Sequence, residues 1–188
     1  MTRITLAVVA VAVFSSCGGP GSMSGTVAGI KLDVKDAIFA LVKNQQGQTE
    51  GLLIALSDKP DGCASLKANR QPKNLTAVSF SMVRYSDMGS LLAPDVGDYT
   101  VINSQPSRGG NYAAAYFTHT DTNCTSTISD TAATGSSGII SLKTLKGEAN
   151  GIASGTYDVT FGASDKVTGS FNATFCDIQN LPMNPNCE

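Results

Sequence analysis

The chain contains a single histidine, His119, two residues before Asp121. A His-x-Asp pair is the smallest unit able to act as a general base or hold one side of a metal ion. A stable metal site needs more ligands, and no second imidazole exists to supply one. A hydrogen-bonded or surface histidine is therefore expected, with a hydrolase using His119 and Asp121 as the competing reading. Asp87, Asp95 and Asp98 lie in or beside one segment rich in turn residues. Their spacing matches no calcium loop, and aspartate is favoured in turns because it bonds its own backbone. Solvated turn carboxylates are expected; the same loop carboxylates are the alternative machinery for a hydrolase. No nucleophile elbow, Walker loop, dinucleotide fingerprint or EF-hand pattern occurs. No catalytic residue, metal ligand or cofactor is assigned. The remaining group with binding chemistry is the tyrosines, Tyr85, Tyr99, Tyr112, Tyr116 and Tyr157, a candidate carbohydrate-facing set. The chain has no Trp to strengthen that reading, and strand tyrosines are commonly part of a core.

Cysteine carries a different chemistry. Arg3 precedes an apolar run from Leu6 to Phe14, nine residues and far short of the ~20 that a membrane-spanning helix needs. It reads as a signal peptide. The run ends in Phe14, Ser15, Ser16 and Cys17, which resembles the lipobox of bacterial lipoproteins: an apolar residue, two small residues, then the cysteine that is lipidated and becomes the mature N-terminus. Phe14 stands where leucine is usual, and cleavage after Gly18 by an ordinary signal peptidase is the alternative. Residues 18–25, GGPGSMSG, have almost no apolar content and no charge, and are expected to be a flexible tether. By analogy with enteric lipoproteins, Gly18 carries no inner-membrane retention signal, which favours the outer membrane. Residues 1–16 are thus read as signal peptide, 17–25 as lipidated cysteine and tether, and 26–188 as one domain.

Removing Cys17 leaves Cys63, Cys124, Cys176 and Cys187, an even number in a chain addressed to an oxidising compartment, so two disulfides are expected. Four cysteines allow three pairings. The proline-containing tail after Asp177 has few apolar residues with which to dock, which favours Cys176 with Cys187 and leaves Cys63 with Cys124.

The elements that must position these residues are mostly strands. Twenty Ser, 18 Thr and 19 Gly point to turn-rich β structure. Ile30, Leu32 and Val34 alternate with polar residues as a half-buried strand does. Ala37–Val42 and Leu52–Leu56 are continuous apolar runs, expected to be neighbouring strands buried on both faces. Asp61–Ala68 is the one expected helix, carrying Cys63 and Leu66 inward. Thr76–Arg84, Asp98–Asn103 and Tyr112–His119 follow as strands, with a loop over residues 85–97. In the last third, Ile140–Lys143, Tyr157–Phe161 and Val167–Phe175 keep a period of two and predict an antiparallel meander, with Gly169 interrupting one face and an irregular tail after it. Eight or nine short strands with one short helix predict an all-β fold, a β-sandwich or a partly closed barrel.

The chain resembles a group of uncharacterised lipid-anchored lipoproteins of Gram-negative bacteria. The resemblance lies in the lipobox, in LLIALSDKPDGCASL from Leu52 to Leu66, and in GTYDVTFGASDKVTGSFNATFC from Gly155 to Cys176, with a last cysteine near the C-terminus. It implies an envelope location and no particular activity. Thirteen Lys and Arg against 15 Asp and Glu give a net charge of -2 without a like-charge block, so no nucleic-acid partner is expected. The expected partners are a membrane, through the lipid anchor, and a protein or a glycan. The expected role is a non-enzymatic binding or structural module.

Overall fold

A computed structural model describes residues 19–106, 109–178 and 185–188; the segment expected to be a signal peptide, residues 1–16, and Cys17 lie outside the described residues. The elements in chain order are β1 (Gly21–Ser24), β2 (Asp36–Lys43), β3 (Thr49–Ser57), α1 (Gly62–Lys67), β4 (Arg70–Gln71), β5 (Thr76–Tyr85), β6 (Leu91–Leu92), β7 (Gly97–Val101), β8 (Gly110–His119), α2 (Asp130–Ala133), β9 (Gly135–Leu145), β10 (Ile152–Phe161), β11 (Asp165–Phe175) and β12 (Asn186–Cys187). Eight of the strands close into a mixed barrel in the order β11-β10-β9-β7-β8-β5-β3-β2, with β2 returning to β11. The fold is all-β, and of the two expected architectures it is the barrel. The meander of the last third is present as β9, β10 and β11, paired antiparallel in sequence order.

The barrel closes at a short seam. Thr174 and Phe175 of β11 pair in parallel with Ile38 and Phe39 of β2, and the Cys176 N–H donates to the Phe39 carbonyl at 2.7 Å. Inward-facing residues alternate along every strand, and an eight-stranded barrel is just wide enough for side chains to fill. Phe39, Phe80, Tyr99, Phe117, Tyr157 and Phe161 do so here, all buried, with the Phe80 and Tyr157 rings 5.0 Å apart and Phe117 and Phe161 6.2 Å apart.

β2 and β3 are apolar on both faces because both faces are covered. Ile38 and Ala40 point away from the barrel interior yet are buried, since Leu66 of α1 and Ile178 lie over them and over Leu53 and Ala55. The helix expected at Asp61–Ala68 is α1, and it forms this outer cover.

The structure departs from the sequence reading in several elements, among them a short strand, β6, inside the expected loop 85–97. Residues Gly21–Ser24, expected within the tether, form β1 and pair with Phe171–Thr168. The seam with β2 reaches only Thr174 and Phe175, so the rest of that β11 edge has unpaired backbone groups that β1 satisfies, with Met23 turned into the core. Ile30–Val34 is not a strand. Val27 and Leu32 are buried all the same, and the segment is tied to the β10–β11 turn where Asp165 accepts the Ala28 N–H at 2.7 Å. A second helix, α2, has Ser129 as its N-cap, and at four residues it is too short to show a helical period. In the C-terminal tail, β12 pairs in parallel with β4.

All four cysteines after Cys17 are in disulfides, but the pairing is Cys63 with Cys176 and Cys124 with Cys187, not the one favoured from the sequence. Cys176 stands just past the seam on β2. There α1 is already anchored, because Asp36 of β2 accepts the Gly62 N–H at 2.7 Å, and Cys63 is the next residue. Cys187 pairs with Gln71, and the Gln71 carbonyl oxygen lies 3.5 Å from Cys124 Sγ, so β4 brings those two cysteines together. The tail is tied to the turn after β8 and not to the strand it leaves.

Candidate functional site

The residues with the most reactive side chains are kept apart. His119 Nδ1 is hydrogen-bonded to Thr76 Oγ1 at 3.0 Å on the neighbouring strand. The Asp121 carboxylate accepts the N–H groups of Thr125 at 2.9 Å and Asn123 at 2.8 Å, bonds that favour its ionised form and hold it below its ordinary value. It organises a turn and does not orient His119. Asp95 accepts its neighbour's N–H at Val96 and lies 3.6 Å from Arg84, Asp98 accepts the Ser141 hydroxyl at 2.6 Å, and Asp87 stands in the β5–β6 hairpin. Among the described residues no three His, Cys, Asp or Glu side chains come together to hold a metal ion.

The tyrosines divide into two groups. Tyr99 and Tyr157 belong to the core: Tyr99 Oη donates to the Asp95 carbonyl at 2.8 Å, and Tyr157 Oη donates to the Ser22 carbonyl at 2.8 Å. Burial raises the pKa of both phenols. Tyr85, Tyr112 and Tyr116 instead line one groove on the outer wall of the barrel.

That groove follows from strand alternation and from one short strand. On β8, Ala113, Ala115 and Phe117 face inward, which turns Tyr112, Ala114 and Tyr116 outward; on β5 the outward residues are Ser81, Val83 and Tyr85. The register sets Ser81 beside Ala114 and Val83 beside Tyr112, so small residues form a floor between the rings. β7 meets β8 only at Thr100–Tyr112 and Val101–Ala113. Past Val101 the chain leaves the sheet, and Asn103, Ser104 and Gln105 form one bank of the groove. Thr134, bridged to Tyr116, closes its lower end.

The groove has a volume of about 430 Å³, within the range of small-molecule sites. Tyr85 and Tyr112 are tilted against each other with ring centroids 6.4 Å apart, and Tyr116 is 48% exposed. Every described residue of the lining is uncharged: three phenols, the amides of Asn103 and Gln105, and the hydroxyls of Ser81, Ser104 and Thr134. Amides and hydroxyls both donate and accept, while a phenol gives a flat apolar face with a polar tip. This combination suits a neutral ligand bearing many hydroxyls, and the described lining holds no cation to neutralise a phosphate or carboxylate.

The sequence names these three tyrosines but does not separate them from the two in the core. The bank at Asn103–Gln105 carries no motif and becomes visible only when β7 ends early. Comparison of the chain with protein-family models, with curated proteins and with solved structures returns no match.

Proposed function

We propose that the chain is an envelope lipoprotein, anchored through lipid on Cys17, that binds a neutral glycan in the groove between β5 and β8. The observation that carries the glycan reading is the grouping of Tyr85, Tyr112 and Tyr116 with amides and hydroxyls and with no charge in the described lining. Sugar rings present C–H faces that pack on aromatic rings and hydroxyls that pair with amides, and both needs are met on one surface. The apolar run and FSSCGG at residues 14–19 support the anchor, and two disulfides accord with an oxidising compartment. Gly18 favours the outer membrane. Because β1 begins at Gly21, only Gly18, Gly19 and Pro20 separate Cys17 from the sheet, a reach of at most ~14 Å over four extended steps. The barrel therefore rests close to the bilayer on this reading.

An array of neutral and acidic oligosaccharides tests the groove directly. Retention of neutral oligosaccharides, reduced at least tenfold by Tyr116→Ala with the thermal midpoint unchanged, is the expected result. Absence of binding to every neutral glycan, or binding indifferent to both Tyr116→Ala and Tyr85→Ala, would reject it.

A further inference from the structure

A second pocket lies on the same outer wall, one step along the strands from the groove. Its floor is the outward row Asp36, Ser57, Ala77 and Thr118, together with Ile38, Ala55 and Leu75. Its roof is α1 with Leu66, the β4 segment and Pro185. Both disulfides hold that roof, Cys63–Cys176 through α1 and Cys124–Cys187 through the tail beside β4. The volume is about 270 Å³, small for a ligand pocket and suited to one short chain.

The charges at its rim are already matched. Lys59 lies 3.8 Å from Asp58, Arg70 lies 3.2 Å from Glu188, and Asp36 takes the Gly62 N–H. What remains to a ligand is the apolar surface of Ile38, Ala55, Leu66, Leu75 and Ala77. Thr118 and Ala77 line this pocket, whereas Tyr116 and Ser81 of the same two strands line the groove. On β5 only Ser79, the partner of Tyr116, stands between, and Thr118 and Tyr116 are about 7 Å apart along β8.

From this continuity we infer that the two sites take one ligand, an uncharged glycolipid whose sugar sits against Tyr116 in the groove and whose alkyl segment enters the pocket beneath α1. The inference rests on the glycan reading of the groove and extends it to a ligand class. A free sugar leaves the pocket unused, and the lining cations Lys59 and Arg70 each stand beside a carboxylate, which lessens what an anionic lipid would gain there.

Calorimetric titration of the intact disulfide-bonded protein with octyl β-glucoside, below its micellar range, and with glucose tests this. Octyl glucoside is expected to bind at least tenfold more tightly than glucose. Ala77→Leu and Ala55→Leu, each of which fills the pocket from its floor, should remove that gain, and Tyr116→Ala should weaken octyl glucoside binding. Circular dichroism of each variant checks that the barrel is retained, and the two fillers are independent of one another. Equal affinity for the two probes, no binding of octyl glucoside, or a gain that survives both fillers would overturn the inference. A gain removed by the fillers but untouched by Tyr116→Ala would instead overturn the glycan reading, because the alkyl chain would then bind without the groove.

Discussion

Tyr157 on β10 stands directly opposite Gly169 on β11, and its hydroxyl reaches past that glycine to donate to the Ser22 carbonyl of β1 at 2.8 Å. The ring occupies the space a side chain at 169 would need: a Cβ there would lie 2.5 Å from the Tyr157 ring and closer still to the Ser22 carbonyl oxygen. Two residues along, the roles are exchanged. Gly155 of β10 faces Phe171 of β11, and a Cβ on it would come within 2.6 Å of the Phe171 ring. The interruption at Gly169 in an otherwise regular strand pattern is thus the device that lets an aromatic ring lie across β11 and fasten β1.

Gly169→Ala is therefore expected to destabilise the protein by overpacking, on the order of 1–3 kcal/mol. Tyr157→Phe keeps the ring and loses one hydrogen bond, a cost of about 1 kcal/mol. Urea unfolding compares the two. A Gly169→Ala protein as stable as the parent would mean that β1 moves away freely and contributes little to the barrel.

The same phenol makes stability depend on alkaline pH. Burial raises the pKa of Tyr157 above the ordinary 10.0, and that of Tyr99 in the same direction. A raised folded pKa means that the folded state holds its proton more tightly than the unfolded chain does. The stabilisation is complete below about pH 10 and is lost as pH rises from there through the folded pKa, at up to about 1.4 kcal/mol per pH unit for each group. Denaturation midpoints measured from pH 8 to 11.5 should fall above pH 10, and Tyr157→Phe should show a shallower fall. Parallel curves for the two proteins would contradict a buried, protonated Tyr157.

Much of the barrel was legible because it rests on the period of two. The meander β9–β11 and the strands β5 and β8 show that period plainly, and the unbroken apolar runs of β2 and β3 correctly signalled cover on both faces. β1 was not legible, since a four-residue strand with one buried residue, Met23, looks like any Gly- and Ser-rich linker. It forms because β11 offers an unpaired edge, a fact of the whole sheet and not of GSMS. Likewise Ile30–Val34 alternates like a strand, yet among the described residues its one bridge is the local pair Val27–Ile30 and it joins no sheet. The candidate groove was half legible: Tyr112 and Tyr116 share a strand face by count alone, whereas Tyr85 joins them through the β5–β8 register and Asn103–Gln105 through the early end of β7.

Anchoring is tested at Cys17. In cells fed labelled fatty acid, Cys17→Ala should incorporate no label and should leave the membrane fraction, since firm attachment takes more than one acyl chain and the described residues include no helix long and apolar enough to span a bilayer. N-terminal sequencing separates loss of lipid from failure to be processed. Label retained by Cys17→Ala would place the acyl chains elsewhere and remove the lipobox reading.

The two disulfides should differ in what they protect. Cys63–Cys176 encloses a sequence separation of 113 and Cys124–Cys187 one of 63, so chain entropy alone assigns them similar values, roughly 5 and roughly 4 kcal/mol. Their positions are not similar. Cys176 directly follows the two-residue seam that closes the barrel and donates its own N–H to Phe39, so the bond to Cys63 clamps α1 over the joint between β2 and β11. Cys187 belongs to a two-residue strand paired with β4, outside the barrel, and Cys124 to a turn beyond β8. Replacing Cys63 and Cys176 together by serine should therefore lower stability and also raise amide exchange at Ile38–Ala40 and Thr174–Cys176. Replacing Cys124 and Cys187 should raise exchange around Arg70, Gln71 and the last three residues while the seam stays protected. Hydrogen exchange read by mass spectrometry, after non-reducing peptide mapping has confirmed the two linkages in the parent, separates these outcomes. Seam amides that remain protected without Cys63–Cys176 would show that the barrel closes through its hydrogen bonds and core alone.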